Sequence, residues 1–324
     1  MKSSFSSAAF LFFALTLLAN AQHIVKTVQV GSEPRGVAVN PLTDSVYIAN
    51  TQSGNISVLK HDVVIATLPA NTLPQVATLD VAANKAYIGG CDFRTNAGGR
   101  VVVIDGRTNQ ITTTIDINEF CVLGIQGITV NPLTHRVYVS DYDDSQEVVI
   151  DGTNNQIISR IDLAGRLPVG CDVDLHTNQI WVTLDGPFGN VDILDGATNT
   201  VLDTINVGNI FVEDVAINNV TKRAYIASSN GLLVYDAPTR EQIADVVETG
   251  TFNSAVDVDP ITNLIFVTDN NGDDVAVVDG RNNTVQATVP LSAPSPNGVA
   301  VNPVRRIAYV TEFDSTQVQL ISER

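Results

Sequence analysis

Residues 300–311 read AVNPVRRIAYVT, and the pattern of this stretch recurs six times earlier in the chain. In each copy an Asn or Asp closes a short apolar run, a turn follows, and an aromatic residue seven positions later opens a second apolar run. The Asx positions are Asn40, Asp80, Asn131, Asp174, Asn218, Asp259 and Asn302. The aromatic positions are Tyr47, Tyr87, Tyr138, Trp181, Tyr225, Phe266 and Tyr309. Their spacings of 40, 51, 43, 44, 41 and 43 residues indicate an array of seven stacked repeats.

Each repeat predicts four β-strands. In the first repeat we expect strands at residues 36–40, 46–50, 55–60 and 63–68. Asn40 and Pro41 end the first strand, because Pro lacks a ladder donor and an Asn side chain bonds the backbone two residues on. Four later repeats carry Asp-Gly between the third and fourth strands, which is a strong hairpin signal. The Asx residues are therefore predicted to form turns.

The last repeat is one strand short. It predicts strands at 298–302, 307–311 and 317–321, and then the chain ends at Arg324. Residues 23–30 form a strand of the fourth type with no preceding strands of their own. If this segment completes the last sheet, the array closes into a ring. We therefore predict an all-β fold, a seven-bladed β-propeller of four-stranded antiparallel blades closed by the N-terminal strand. An open solenoid would need polar caps at both ends.

Three segments carry a family resemblance: GVAVNPLTDSVYIAN (36–50), GITVNPLTHRVYVSD (127–141) and GVAVNPVRRIAYVTE (298–312). They resemble the YVTN-type repeats of seven-bladed β-propellers, which occur in exported bacterial proteins and archaeal surface-layer proteins. Such propellers are often grouped with quinoprotein dehydrogenases and lactonases. The resemblance covers about residues 23–324, although the second, fourth and fifth repeats lack the Pro after the Asx. It identifies the repeat and not a reaction.

The N-terminus has the form of a secretory signal peptide. Lys2 precedes the apolar run 8–19, and Ala19-Asn20-Ala21 is a small-x-small cleavage pattern. We expect cleavage near Ala21, a single propeller domain over residues 22–324, and a secreted or periplasmic protein. No later stretch approaches the roughly 18 apolar residues of a membrane span, so no membrane insertion is expected.

The charge balance is strongly acidic. Lys2 would leave with the signal peptide, so the 18 basic residues fall to 17 against 35 acidic ones, and the net charge of −17 becomes about −18. A polyanion repels nucleic acid, and no nucleic-acid partner is expected.

Propeller topology assigns the loops to two faces. Loops between the second and third strands and loops between blades open on one face, which usually binds the ligand. His23, His61, His135 and His176 all fall on the opposite face, which argues against histidine-based acid-base or metal chemistry at the ligand site.

Four residues that precede innermost strands are candidate ligand-binding residues: Arg35, Gln75, Gln126 and Asn297. Arg35 is the only cation among the seven equivalent positions of the repeats. It could therefore bind an anionic or carboxylate-bearing ligand while its polar neighbours orient the rest. An ion pair of Arg35 with Glu33 or with a rim carboxylate is the structural alternative.

Four carboxylates at or near innermost strands are candidate metal ligands: Asp172, Glu213, Asp214 and Asp257. Carboxylates close to a channel and to each other require hydrogen bonds or a cation. Ca²⁺ takes several oxygen ligands and is the natural candidate. The alternative is that each Asp accepts backbone N–H groups at a strand start, and no cofactor is otherwise required.

Three cysteines leave at least one unpaired within the chain. Cys91 lies in an enlarged loop of the second repeat and Cys121 in the enlarged connection that follows, both on the ligand face. In an oxidising compartment a disulfide between them is favoured over the alternative pairings that involve Cys171. Cys171, at the start of an innermost strand, is predicted to be a buried thiol.

The regular repeats and the lack of a catalytic constellation favour a binding or scaffold module over an enzyme. The expected partner is a protein, a polymer or a small-molecule ligand, and the protein is expected to be monomeric. Two alternatives remain open. One is a metal-dependent, lactonase-like hydrolase with a channel cation, and the other is a cofactor-bearing dehydrogenase-like propeller.

Overall fold

The computed structural model describes residues 22–92, 94–95, 97–186 and 188–324, so the predicted signal peptide lies outside the described residues. These residues form seven four-stranded antiparallel sheets, and Val247–Thr249 is a short 3₁₀ helix. The fold prediction, an all-β propeller of seven blades, is confirmed. Within these ranges no helix is both long enough and apolar enough to cross a membrane.

The strands follow the chain from blade to blade, and within each blade the order runs from the innermost to the outermost strand. Strand β1 (His23–Gln29) comes before the first complete blade. Blade 1 contains β2 (Pro34–Asn40), β3 (Ser45–Asn50), β4 (Asn55–Lys60) and β5 (Val63–Pro69). Blade 2 contains β6 (Pro74–Asp80), β7 (Lys85–Asp92), β8 (Ala97–Asp105) and β9 (Gln110–Asp116). Blade 3 contains β10 (Ile125–Asn131), β11 (Arg136–Asp141), β12 (Gln146–Asp151) and β13 (Gln156–Asp162).

The remaining blades repeat this arrangement. Blade 4 contains β14 (Leu167–Asp174), β15 (Gln179–Asp185), β16 (Gly189–Asp195) and β17 (Thr200–Gly208). Blade 5 contains β18 (Val212–Asn218), β19 (Arg223–Ser228), β20 (Gly231–Asp236) and β21 (Gln242–Val246). Blade 6 contains β22 (Asn253–Val258), β23 (Leu264–Asp269), β24 (Asp274–Asp279) and β25 (Thr284–Pro290). Blade 7 contains β26 (Pro296–Asn302), β27 (Ile307–Glu312) and β28 (Gln317–Ser322).

Strand β1 supplies the missing outer strand of blade 7. The order in that sheet is β1-β28-β27-β26, with β1 antiparallel to β28. The register places Val28 opposite Val318, and beyond the strand the Val30 N–H donates to the Thr316 carbonyl at 2.8 Å. The two ends of the chain therefore share one sheet, and the predicted ring closure is confirmed.

The aromatic residues of the repeat lie between blades. All seven are fully buried. Tyr87 packs with core residues of blade 3, Trp181 with those of blade 5, and Tyr309 with those of blade 1. Each aromatic thus fills the apolar interface between its own blade and the next, where large buried side chains contribute most to stability.

The Asx residues form the turns after the innermost strands and also link blades. Asn40 Oδ1 accepts the N–H groups of Leu42 at 3.0 Å and Thr43 at 3.3 Å. Its Nδ2 donates to Asn84 Oδ1 of blade 2 at 2.7 Å. The Asn131–Asn178 and Asn218–Asn263 pairs repeat this contact in later blades. The predicted turn role is correct, and the structure adds the contact to the next blade.

Candidate functional site

The seven innermost strands surround the central channel, and one position of each strand or its approach faces the channel mouth. We call the residue five places before each Asx the mouth position. All seven mouth positions line a single cavity of about 350 Å³: Arg35, Gln75, Gln126, Val169, Glu213, Ser254 and Asn297. The structure therefore brings the four predicted ligand-binding residues together in one site.

Arg35 is the cation of this cavity. Its guanidinium lies over the Phe313 ring, 5.2 Å from the centroid. Burial lowers the pKa of Arg35, and the charge of Glu33 acts in the opposite direction. Over the described ranges, no carboxylate oxygen lies within 4.0 Å of the Arg35 guanidinium, so the predicted alternative of a direct ion pair with Glu33 is not formed. The positive charge remains available to a ligand.

Two carboxylates lie across the ring from Arg35, which is on blade 1. Glu213 and Asp214 belong to β18 of blade 5, and blades 6 and 7 separate them from Arg35. Burial, together with the neighbouring charges of Asp185 and Asp214, raises the pKa of Glu213 to about 7. The cavity thus has a cationic wall and an anionic wall.

The side-chain amides of Gln75 and Gln126 are held by one backbone carbonyl. Gln75 Nε2 donates to the Leu123 carbonyl at 3.0 Å, and Gln126 Nε2 donates to the same carbonyl. The Gln75 side chain is buried, and its Oε1 has no hydrogen-bond partner among the described residues. A buried carbonyl oxygen without a donor is costly, so this atom favours a ligand that carries an N–H or O–H group.

The Leu123 carbonyl belongs to a loop that is fixed at both ends. Cys91 and Cys121 form a disulfide with a Cα–Cα distance of 5.8 Å, which confirms the predicted pairing. The N–H groups of Val122, Leu123 and Gly124 donate to the Asp143 carboxylate at 2.8, 3.0 and 2.9 Å. The enlarged connection between blades 2 and 3 therefore acts as a rigid support for the glutamines.

Asp172 and Asp257 lie deeper in the channel, where they line a second cavity of about 260 Å³. Asp172 accepts the N–H of Val173 at 2.8 Å and that of Ile217 in the next blade at 2.7 Å. Asp257 accepts the N–H of Val258 and that of Val301 in the next blade, both at 2.7 Å.

Asp214 bonds in the same way. It accepts the N–H of Val215 at 2.9 Å and that of Val256 in the next blade at 3.1 Å. Burial raises the pKa of Asp172 to about 6 and those of Asp214 and Asp257 to about 7, while the backbone N–H groups act against this shift. Asp172, Asp214 and Asp257 thus act as carboxylate links between adjacent innermost strands.

The four predicted metal ligands lie in two different cavities. Glu213 and Asp214 line the mouth cavity, whereas Asp172 and Asp257 line the second, deeper cavity. In the described ranges, one group of three His, Cys, Asp or Glu residues has all ligand atoms within 4.8 Å of one another: Cys91, Cys121 and Asp143. Its sulfurs are bonded to each other, and Asp143 holds backbone N–H groups. The cation site stays a prediction.

The described histidines do not line the mouth cavity, and the free thiol that does line it is a poor nucleophile. No histidine is among the described residues that line either cavity. His61 and His135 instead contact Asp44 and Asp80 at 2.7 and 2.6 Å. Cys171 lines the mouth cavity, but burial raises its thiol pKa well above the usual range. A thiol in this environment is a poor nucleophile.

The lining residues that sequence reasoning missed include Val169, Ser254 and Phe252. The first two occupy mouth positions, so the alignment of the repeats alone identifies them, although neither is charged. Phe252 precedes β22 and has no equivalent signal in the repeat. The sequence groups Glu213 with the metal candidates, whereas in the structure Glu213 lines the same cavity as Arg35.

No family model matches this chain. The chain is 25% identical over 247 residues to the protein named "Uncharacterized protein YncE" of Salmonella typhi and to its namesake in Salmonella typhimurium. These matches cover 71% of this chain and 68% of each relative. The identity indicates weak homology to YncE.

A solved structure of Kuenenia stuttgartiensis hydrazine synthase has the same fold. The two chains superpose with a TM-score of 0.78 at 14% sequence identity, over 91% of this chain and 97% of the other. At this identity the similarity supports the propeller fold alone.

Proposed function

We propose that this protein is a binding module that holds a small ligand in the channel mouth and anchors an anionic group of that ligand on Arg35. The observation that carries this proposal is the guanidinium of Arg35, which lines a cavity and has no carboxylate oxygen within 4.0 Å among the described residues. A partly buried cation without an anion is costly, and a bound carboxylate or other oxyanion would offset that cost.

The other mouth positions fit the same role. A volume of about 350 Å³ lies within the range of small-molecule sites. Gln75, Gln126 and Asn297 supply amide groups around the rim, and the disulfide-linked loop fixes the two glutamines. Preorganised polar groups reduce the entropy cost of binding.

The chemistry of the lining favours binding over nucleophilic catalysis. The described lining contains no histidine, and the thiol of Cys171 is buried with a raised pKa. These residues do not form a nucleophile and base pair.

We also infer that the chain is an exported propeller of the YVTN type. The support is the leader-like N-terminus, the three repeat segments quoted above and the Cys91–Cys121 disulfide, which suits an oxidising compartment.

Isothermal titration with hexanoate and with inorganic phosphate tests the binding proposal. We expect at least one of these anions to bind the wild type, and Arg35→Gln to weaken that binding by about tenfold or more, as expected for loss of a charged hydrogen bond. Arg107→Gln is the matched control, because Arg107 is exposed in a turn and pairs with Asp105. Equal affinity of the Arg35 variant and the wild type, or no binding of either anion, would overturn the proposal.

A further inference from the structure

Among the described residues, the lining of the mouth cavity has one cation and one pair of carboxylates, on far sides of the ring. Arg35 is on blade 1, whereas Glu213 and Asp214 are on blade 5. Over the described ranges no Arg35 nitrogen lies within 4.0 Å of a carboxylate oxygen, so the two charges do not cancel each other by direct contact. Both line the same cavity.

Glu213 differs from the other channel carboxylates in having unused acceptors. Asp172, Asp214 and Asp257 each accept two backbone N–H groups. The Glu213 carboxylate accepts no hydrogen bond from any described residue, although it lines the cavity. A carboxylate in this setting is stabilised by a cationic donor.

The backbones of Arg35 and Glu213 are held in equivalent ways, which leaves their side chains free. Thr311 of blade 7 donates to the Arg35 carbonyl, and Thr183 of blade 4 donates to the Glu213 carbonyl at 3.1 Å. In both cases a Thr on the second strand of the preceding blade fixes the main chain of a mouth position. The two charged groups thus project from rigid anchors.

An independent observation points to a ligand between them. Gln75 is 7% exposed and lines the same cavity, and its Oε1 lacks a hydrogen-bond partner among the described residues. Its amide nitrogen is already used by the Leu123 carbonyl, which fixes Oε1 as an acceptor. A ligand that carries an N–H or O–H donor would satisfy this atom.

We propose that the ligand of the channel mouth is a small ampholyte, with its carboxylate or other oxyanion on Arg35 and its protonated amine on Glu213. This inference rests on the proposed binding function and specifies its ligand class. A purely anionic ligand would leave the Glu213 carboxylate without a donor, and a purely cationic one would leave Arg35 without an acceptor. An ampholyte supplies an acceptor to Arg35 and a cationic donor to Glu213.

The experiment compares ligands that differ only in charge. The probes are 6-aminohexanoate, which carries both groups, hexanoate, which carries the carboxylate, and hexylamine, which carries the amine. Shorter and longer ω-amino acids, 4-aminobutyrate and 8-aminooctanoate, bracket the separation of the two walls. Affinities are measured by titration calorimetry on the wild type, Arg35→Gln and Glu213→Gln. Glu241→Gln, at an exposed position on the opposite face, is the control, and circular dichroism checks that each variant is folded.

We expect one of the ω-amino acids to bind about tenfold or more tightly than hexanoate and hexylamine, the gain expected from a second charged contact. Arg35→Gln should reduce its affinity to the level of hexylamine, and Glu213→Gln should reduce it to the level of hexanoate.

Three results would overturn the ampholyte. If hexanoate binds through Arg35 as tightly as every ω-amino acid, the ampholyte is excluded while the anion-binding function stands. If hexylamine binds as tightly as the ω-amino acids and Arg35→Gln has no effect, or if neither these probes nor inorganic phosphate bind, both proposals fall.

Discussion

Asn302 Nδ2 donates a hydrogen bond to Asp44 Oδ1 at 3.1 Å, and this contact joins residues 258 positions apart in the sequence. It is the same inter-blade contact that Asn40 makes with Asn84, but here it links the last blade to the first. Arg305 adds to this closing seam with two bonds to the Asp62 carboxylate, at 2.5 and 2.7 Å. The seam is thus fastened by charged contacts on the face away from the mouth cavity.

Arg305→Gln should destabilise the ring by about 1–3 kcal/mol at neutral pH, because partly buried carboxylates lose a charged donor. Burial alone would raise the pKa of Asp62, but the bonds from Arg305 and Tyr309 hold it below its usual value. A lowered folded pKa gives stability that is present above the unfolded pKa, about 4, and is lost as the pH falls through the folded value. Urea unfolding at pH 7 and pH 3 measures the free energy of unfolding of the wild type and of Arg305→Gln. The difference between the two proteins should be smaller at pH 3, and an equal difference at both pH values would contradict the proposed role of the Arg305–Asp62 contact.

Removal of residues 22–30 should lower the melting temperature by several degrees, because blade 7 loses its outer strand and the buried Val28. Differential scanning calorimetry of the mature chain measures the effect. A synthetic peptide of residues 22–31 added in trans should restore part of the loss, whereas a peptide of the same composition in scrambled order should not. Unchanged melting after the deletion would show that β1 does not close the ring.

Glu147→Gln should remove part of the pH dependence of stability. Burial raises the pKa of Glu147 to about 8, while hydrogen bonds from Ser140 and Cys171 act against the shift. Because the folded pKa is raised, the stability it contributes is full below the unfolded pKa, about 4, and is lost as the pH rises through the folded value. Between these two pKa values, the free energy of unfolding of the wild type should fall by about 1.4 kcal/mol per pH unit relative to that of Glu147→Gln. Denaturant unfolding from pH 5 to pH 8 checks this, and parallel curves would refute it.

Replacement of both Cys91 and Cys121 by Ser should cost about 3–4 kcal/mol, given a sequence separation of 30 residues. The same variant should weaken binding of any mouth ligand, since the loop holds the Leu123 carbonyl that orients Gln75 and Gln126. Calorimetric melting and ligand titration measure the two effects. Retained affinity in the double Ser variant would show that the loop does not need the disulfide to position the glutamines.

Asp257→Asn should destabilise the protein by about 1–3 kcal/mol. The Asn side chain has only one acceptor oxygen, so one of the two backbone N–H groups that Asp257 binds would face the side-chain NH₂ group instead. Unfolding in the presence of a chelator and of added Ca²⁺ separates this effect from the predicted metal site. A rise in wild-type melting temperature with Ca²⁺ that Asp257→Asn abolishes would support the channel cation. No response of the wild type to Ca²⁺ or chelator would leave only the strand-linking role.

The fold could be predicted because its determinants repeat locally. Asn302 and Tyr309 mark one turn and one interface residue, and six further copies of this Asx–aromatic pattern fix the number of blades. The closure by β1 followed from counting strands. The partners of the Asx side chains were not predictable in the same way, since Asn40 reaches Asn84 through the stagger between blades and not through any sequence signal.

The site was predictable in position more than in role. Alignment of the repeats located Arg35 and Gln75 correctly at the channel mouth. It could not separate Glu213, which has unused acceptors, from Asp257, whose oxygens bind N–H groups of two strands. That difference depends on a partner in the next blade 44 residues away, Val301. The hydrogen bond from Gln75 to the Leu123 carbonyl also could not be predicted from the sequence, because it depends on the path of an irregular loop.

The shared sheet of β1 and β28 also constrains the order of events in biosynthesis. The first strand emerges from the ribosome almost a full chain length before its partner, so the final blade can be assembled only after synthesis of the C-terminal residues. Until then the nascent polypeptide has an incomplete toroid with an open edge. Truncation anywhere before β28 would leave that edge exposed to aggregation or proteolysis, so only full-length molecules acquire a sealed circumference.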